Sequence, residues 1–104
     1  MLGKLEEEVL LAAVQAGDGA LPSEIFARME AAATRHRAPA FGAVYTTLGR
    51  MVVKGLLTEK SKLDTANRTR RAFTVSAEGR LALSESMRRI QSLGGFALAG
   101  AAHG

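Results

Sequence analysis

Apolar residues recur at three- and four-residue spacing in four stretches of the chain, and each stretch is bounded by residues that stop or start a helix. Leu5, Val9, Ala12, Ala13 and Ala16 predict a first helix over about 4–16, with Glu6, Glu7 and Glu8 where the helix dipole favours carboxylates and Gly17-Asp18-Gly19 ending it. Leu2, Leu10, Leu11 and Val14 widen its apolar surface beyond one stripe, which points to a second contact surface and a dimer. Pro22 suits a first helical position and Ser23 a cap. Ile25, Phe26, Met29, Ala32 and Ala33 then predict a second helix ending near Thr34. Arg35-His36-Arg37-Ala38-Pro39 interrupts the pattern, and Pro39 is read as the opening turn of a third helix running to about Lys54 and closed by Gly55. Leu56–Ser61 and Arg70–Val75 read as two strands joined by the polar stretch 62–69. Ser76 caps a last helix, Ala77 to about Leu93, on which Leu83, Met87 and Ile90 fall at spacings of four and three, with Leu81 and Leu93 nearby in sequence; Gly94-Gly95 ends it, and 94–104 is an Ala/Gly-rich tail expected to fray.

The third helix is two-sided. Val44, Leu48, Met51 and Val52 form its core stripe with Phe41 and Tyr45 on the flanks, and the helical period leaves Ala43, Thr46, Thr47, Arg50 and Lys54 opposite. That outer face is small, hydroxylic and basic and includes no carboxylate, whereas a solvated helix ordinarily mixes both signs.

Charge sharpens the picture. The formal net charge is only +4, but residues 1–34 hold 2 basic and 6 acidic side chains (net −4), residues 35–71 hold 9 and 2 (net +7), and residues 72–104 hold 3 and 2 (net +1). A local excess of this kind is best explained by a polyanionic partner, with a merely solvated basic face as the bland alternative. With 104 residues, 47% of them apolar, the chain fits one small folded domain over 1–93, and it contains no apolar run long enough to span a membrane. The absence of Cys removes disulfides and thiolate chemistry, which fits a reducing, cytoplasmic setting.

The order helix, helix, helix, hairpin, helix predicts a mainly α fold with a small β-hairpin: a winged helix-turn-helix plus a C-terminal dimerisation helix at about 77–93. The residues themselves carry a resemblance. Gly42-Ala43-Val44-Tyr45-Thr46-Thr47-Leu48-Gly49-Arg50, then Lys54-Gly55-Leu56, then Arg70-Arg71-Ala72-Phe73-Thr74-Val75-Ser76-Ala77-Glu78-Gly79, together with the opening Leu2 to Leu11, resemble the PadR family of bacterial transcriptional repressors over about 2–93. The resemblance implies a homodimer paired through its last helix, a palindromic operator, and repression relieved by an effector or signal. Leu21-Pro22-Ser23 and Ala72-Phe73 depart from the family's usual aromatic-Gly and paired-aromatic patterns. The lack of Trp departs from the aromatic drug-sandwich seen in part of it.

Double-stranded DNA is therefore the expected partner. Thr46 and Thr47 suit phosphate or a thymine methyl, Ala43 permits close approach, and Arg50 suits a guanine or a phosphate, with Lys54 beside it. Tyr45 is either core or reader. Lys60, Lys62, Arg68 and Arg70 place charge on the wing; strand alternation sends Arg70 and Arg71 to opposite faces, so at most one of that pair faces DNA. Arg35 and Arg37 in the turn are phosphate candidates or solvated. Leu10, Val14, Leu83, Met87 and Ile90 are the expected dimer interface. A cavity for a small apolar effector among them is the less favoured reading, and no effector is assigned. The residues offer no catalytic arrangement, no cofactor motif and no metal-ligand spacing around His36, His103 or the carboxylates, so no enzyme is expected. The alternative is a winged-helix protein-interaction module without DNA binding, against which Arg50 and Lys54 argue.

Overall fold

Four helices and one hairpin follow one another in the computed structural model, which describes residues 2–33 and 37–92. They are α1 (Lys4–Ala16), α2 (Pro22–Ala32), α3 (Phe41–Val53), β1 (Leu57–Leu63), β2 (Thr69–Val75) and α4 (Ala77–Ile90). The first two helices begin with a glutamate reaching back to the residue before the helix: the Gly3 amide donates to Glu6 Oε1 at 2.9 Å and the Leu21 amide to Glu24 Oε1 at 2.7 Å. Each contact satisfies a backbone donor that the start of a helix leaves free. Pro39 does not open α3 as expected. Ala40 is the cap and the helix starts at Phe41, so Pro39 holds the approach to it. The limits expected near Thr34 and Leu93, and the whole tail 94–104, lie outside the described residues.

The strands pair antiparallel from Leu57↔Val75 to Leu63↔Thr69, so the ladder takes in Leu63, Lys62 and Thr69 and the connection shrinks to 64–68. Asp64 makes this short loop work. Its Oδ1 accepts from the amides of Ala66 and Arg68, both at 2.9 Å, while Asn67 takes a left-handed φ of 61°, a conformation Asn tolerates better than most residues. Ala20 adds a bridge on the far side of β2, exchanging amide bonds of 2.9 and 2.8 Å with Phe73.

The core lies where α1, α2 and α3 meet the base of the hairpin. Val9, Leu10, Ile25, Val44, Leu48, Met51 and Phe73 are completely enclosed there. α4 is stitched on at its start: the Ser76 hydroxyl donates to the Gly55 carbonyl at 2.7 Å and accepts from the Gly79 amide at 3.0 Å. Gly79 is required by this closeness, because a Cβ at that position would lie 2.1 Å from the Leu56 carbonyl oxygen. Beyond Leu83, which is buried, α4 turns Leu81, Met87 and Ile90 outward, each about half exposed. Among the described residues no helix is long and apolar enough to cross a membrane.

Candidate nucleic-acid interface

Helix α3 is held from inside by Val44, Leu48 and Met51, and this anchoring fixes which residues its outer side presents. Ala43, Thr46 and Arg50 are exposed. Arg50 takes part in no ion pair among the described residues, leaving its five guanidinium donors available. Thr47 is a correction to the sequence reading. It lies three residues from Val44 and four from Met51, is buried, and spends its hydroxyl on the Ala43 carbonyl at 2.7 Å. A buried hydroxyl needs such a partner, so Thr47 has none to offer a ligand.

Lys54 is also placed differently from expectation. Its Nζ meets Glu6 Oε2 at 2.6 Å across 48 positions of sequence, so a carboxylate from α1 neutralises the end of a face that carries none of its own. Glu6 is buried, and its carboxyl is held below the usual range mainly by the Lys54 hydrogen bond, then by the Gly3 amide, with Lys54 and Arg50 adding their field.

The wing carries charge in a more constrained way. Asp64 Oδ2 accepts from Arg70 Nε at 2.9 Å and Arg68 Nε at 3.2 Å. Arg70 foremost, then the Arg68 amide, brings the Asp64 carboxyl down to about 2. Lys62 Nζ donates to the Gly19 carbonyl at 3.1 Å, tying β1 to the turn after α1, and Lys60 is exposed. Register places Lys60 and Lys62 on one face of the hairpin with Arg70, and turns Arg71 to the other face. Arg71 forms a fork with Glu59, Nε to Oε2 at 2.7 Å and Nη2 to Oε1 at 2.8 Å, and its guanidinium lies 5.1 Å from the Tyr45 ring centre and 5.3 Å from that of Phe73. Tyr45 is thus half-buried against the wing and also touches Phe41.

Between the wing and the starts of α2 and α3 runs a cleft lined by Pro22, Ser23, Phe41, Tyr45, Arg70 and Arg71. The exposed Arg70 guanidinium at its edge suits an anionic backbone rather than an apolar ligand. Arg37 is exposed beside a separate groove between α1 and α2, and Arg35 lies outside the described residues. Sequence reasoning missed Glu6, Glu59 and Asp64, the three carboxylates that position the cations.

The expected dimer residues divide. Leu10 is fully enclosed by its own protomer, which removes it from any interface: α1 is surrounded by packed elements on that side. Val14, Leu83 and Met87 border a shallow groove between α1 and α4, with Ile90 exposed beyond. Among the described residues no three His, Asp or Glu side chains gather as metal ligands.

Comparison with known proteins bears on the family and the fold. The model of the transcriptional regulator PadR-like family matches residues 10–85. The fold resembles a PadR family transcription regulator from Clostridium difficile (TM-score 0.73, 16% identity, 88% of this chain and 91% of that one covered). It also resembles a PadR-like transcriptional regulator from Bacillus cereus (0.72, 17%, 96% and 92%) and a PadR family transcriptional regulator from Eggerthella lenta (0.68, 18%, 82% and 72%). No curated protein matches the chain in sequence.

Proposed function

The chain belongs to the PadR-like family of transcriptional regulators, and from that premise we propose that this DNA-binding regulator is a homodimeric repressor, working in the cytoplasm on a palindromic operator. In this reading α3 enters the major groove. Arg50 takes a guanine edge, Ala43 and Thr46 allow close approach, and Lys60, Lys62, Arg68 and Arg70 meet flanking phosphates. Arg37, and Arg35 two positions before it in sequence, add phosphate contacts. Lys54 contributes field rather than a contact, because Glu6 already holds it. The observation that carries the reading is the outer face of α3: Ala43, Thr46 and Arg50 are exposed together, with no carboxylate on that face.

Residues 1–93 act as one unit, with dimer pairing through the apolar side of α4. Leu83 and Val14 border the groove there, and Met87 and Ile90 supply exposed apolar surface that a second copy would cover. Two α3 helices related by that symmetry read half-sites about 34–36 Å apart, or a multiple of this. Selection of bound duplexes from a random DNA pool tests the reading as a whole. It is expected to enrich an inverted repeat with half-site centres about 10 base pairs apart or a multiple; recovery of no sequence preference would contradict it.

A further inference from the structure

A carboxylate on a phosphate-binding wing requires an explanation, because it repels the ligand its neighbours attract. Asp64 has one in the tip loop it closes. Glu59 is in the middle of β1, next to Lys60, and closes no turn. What it does is hold Arg71, the one wing arginine turned toward α3, through both oxygens. From Arg71 the contacts continue inward. Its guanidinium lies over Tyr45 and Phe73, Tyr45 meets Phe41 with ring centres 6.1 Å apart, and Phe41 meets Phe26 edge-on at 5.2 Å. Every aromatic ring among the described residues belongs to this line, which joins β2 to α3 and α3 to α2.

We propose that Glu59, Arg71 and Tyr45 form a brace that sets the angle between the wing and α3, and that Arg71 is a positioning residue with no phosphate contact of its own. The proposal deepens the DNA-binding reading and rests on it. Three observations support it. The Nε–Nη2 edge of the guanidinium is occupied by one carboxylate in the planar, two-point geometry that only Arg provides. Both rings lie within the range of cation–π attraction. The two charges also reinforce each other, Glu59 being held below the usual carboxylate range chiefly by Arg71, and Arg71 being kept more firmly protonated chiefly by Glu59 and then by Tyr45. Since α3 reads bases and the wing meets phosphates several residues away, a small change in the angle between them costs affinity without removing any contact group.

The test uses Glu59→Gln, Arg71→Lys, Arg71→Ala and the unsubstituted chain with its selected duplex, titrated at several salt concentrations. If Glu59 were only an unfavourable charge, Glu59→Gln would bind more tightly; the brace predicts binding weakened about five- to tenfold, the loss of one well-placed charged pair. If Arg71 touched a phosphate, Arg71→Lys would retain most of the affinity, and Arg71→Ala would lower the salt slope by about 0.9 for each of its two copies in the dimer. The brace predicts that Lys fails to rescue and that the slope stays unchanged in all variants. Tyr45 is the only tyrosine and the chain has no tryptophan, so its emission reports the brace without DNA and is expected to change in both charge variants. Tighter binding by Glu59→Gln, rescue by Lys, a lowered slope, or unaltered Tyr45 emission would overturn the brace. Failure of the unsubstituted chain to bind any duplex would instead show that the DNA-binding reading beneath it is wrong.

Discussion

On the outer side of α3, Arg50 stands among Ala43 and Thr46 with no carboxylate bonded to it; on the phosphate-facing side of the wing, Arg68 and Arg70 are both bonded to Asp64. The difference separates two ways of presenting positive charge. An unpaired guanidinium keeps its donors and its rotamers free until a base edge fixes them, which suits selection between sequences. A guanidinium already bonded through Nε has a fixed direction and a smaller ordering cost on binding, which suits a phosphate whose position varies little with sequence. Lys54 crosses this division, since it lies at the end of α3 yet is tied to Glu6 as the wing arginines are tied to Asp64 and Glu59.

Removing the unpaired cation should have the largest effect. Arg50→Ala is expected to cost about 1–3 kcal/mol per half-site against the selected operator and much less against unrelated duplexes, measured by competition titration; an equal loss on every duplex would move Arg50 into the phosphate class. Glu6→Gln is expected next, and it reads out in stability more than in binding. It removes the charged partner of Lys54, and thermal unfolding should show a loss of about 1–3 kcal/mol, worth roughly 4–8 °C per kcal/mol in a domain of this size. An unchanged melting temperature would mean that the tie is ornamental.

Smaller changes belong to the wing tip. Asp64→Asn keeps an oxygen for the Ala66 and Arg68 amides and loses the charge facing Arg68 and Arg70, whereas Asp64→Ala loses both. Asp64→Ala should therefore weaken binding about two- to fivefold on all sequences alike and Asp64→Asn by less. Equal effects would show that loop closure is irrelevant. The smallest signal is a matter of pH. A carboxylate whose pKa is depressed by folding contributes stability above its ordinary value and loses it as pH falls through the depressed one. With Asp64 held at about 2, the amide resonances of Ala66 and Arg68 should stay in place from pH 7 to about 4 and move only near the acid limit. Movement in the ordinary carboxylate range would show the Asp64 bonds to be absent in solution.

Element order and core faces were legible because periodicity depends on neighbours in sequence. Val44, Leu48 and Met51 face the core as their spacing requires, and Ser76 caps α4 as its position before Ala77 suggests. Thr47 shares their stripe by the same arithmetic; its hydroxyl made it look like an outer residue, although the Ala43 carbonyl one turn back accommodates it within the helix. Leu10 looked available to a partner because a helix surface wider than one stripe gives no indication of which neighbouring element covers the excess. The carboxylates that organise the cations were not legible. Glu6 meets Lys54 across the fold, and Glu59 meets Arg71 only because closing the hairpin at 64–68 sets the register that brings them diagonally together. Loop length, three residues shorter than the polar stretch implied, was the missing quantity.

The most direct test of the DNA-binding account is the slope of log affinity against log salt for the unsubstituted protein on its selected operator. If two wings, with Arg35 and Arg37 of each copy, neutralise phosphates as proposed, affinity falls by about 0.9 log units per phosphate for each tenfold rise in salt, giving a steep line. A line with almost no slope would mean that the basic middle of this chain does not bind the DNA backbone, and the account would fail with it.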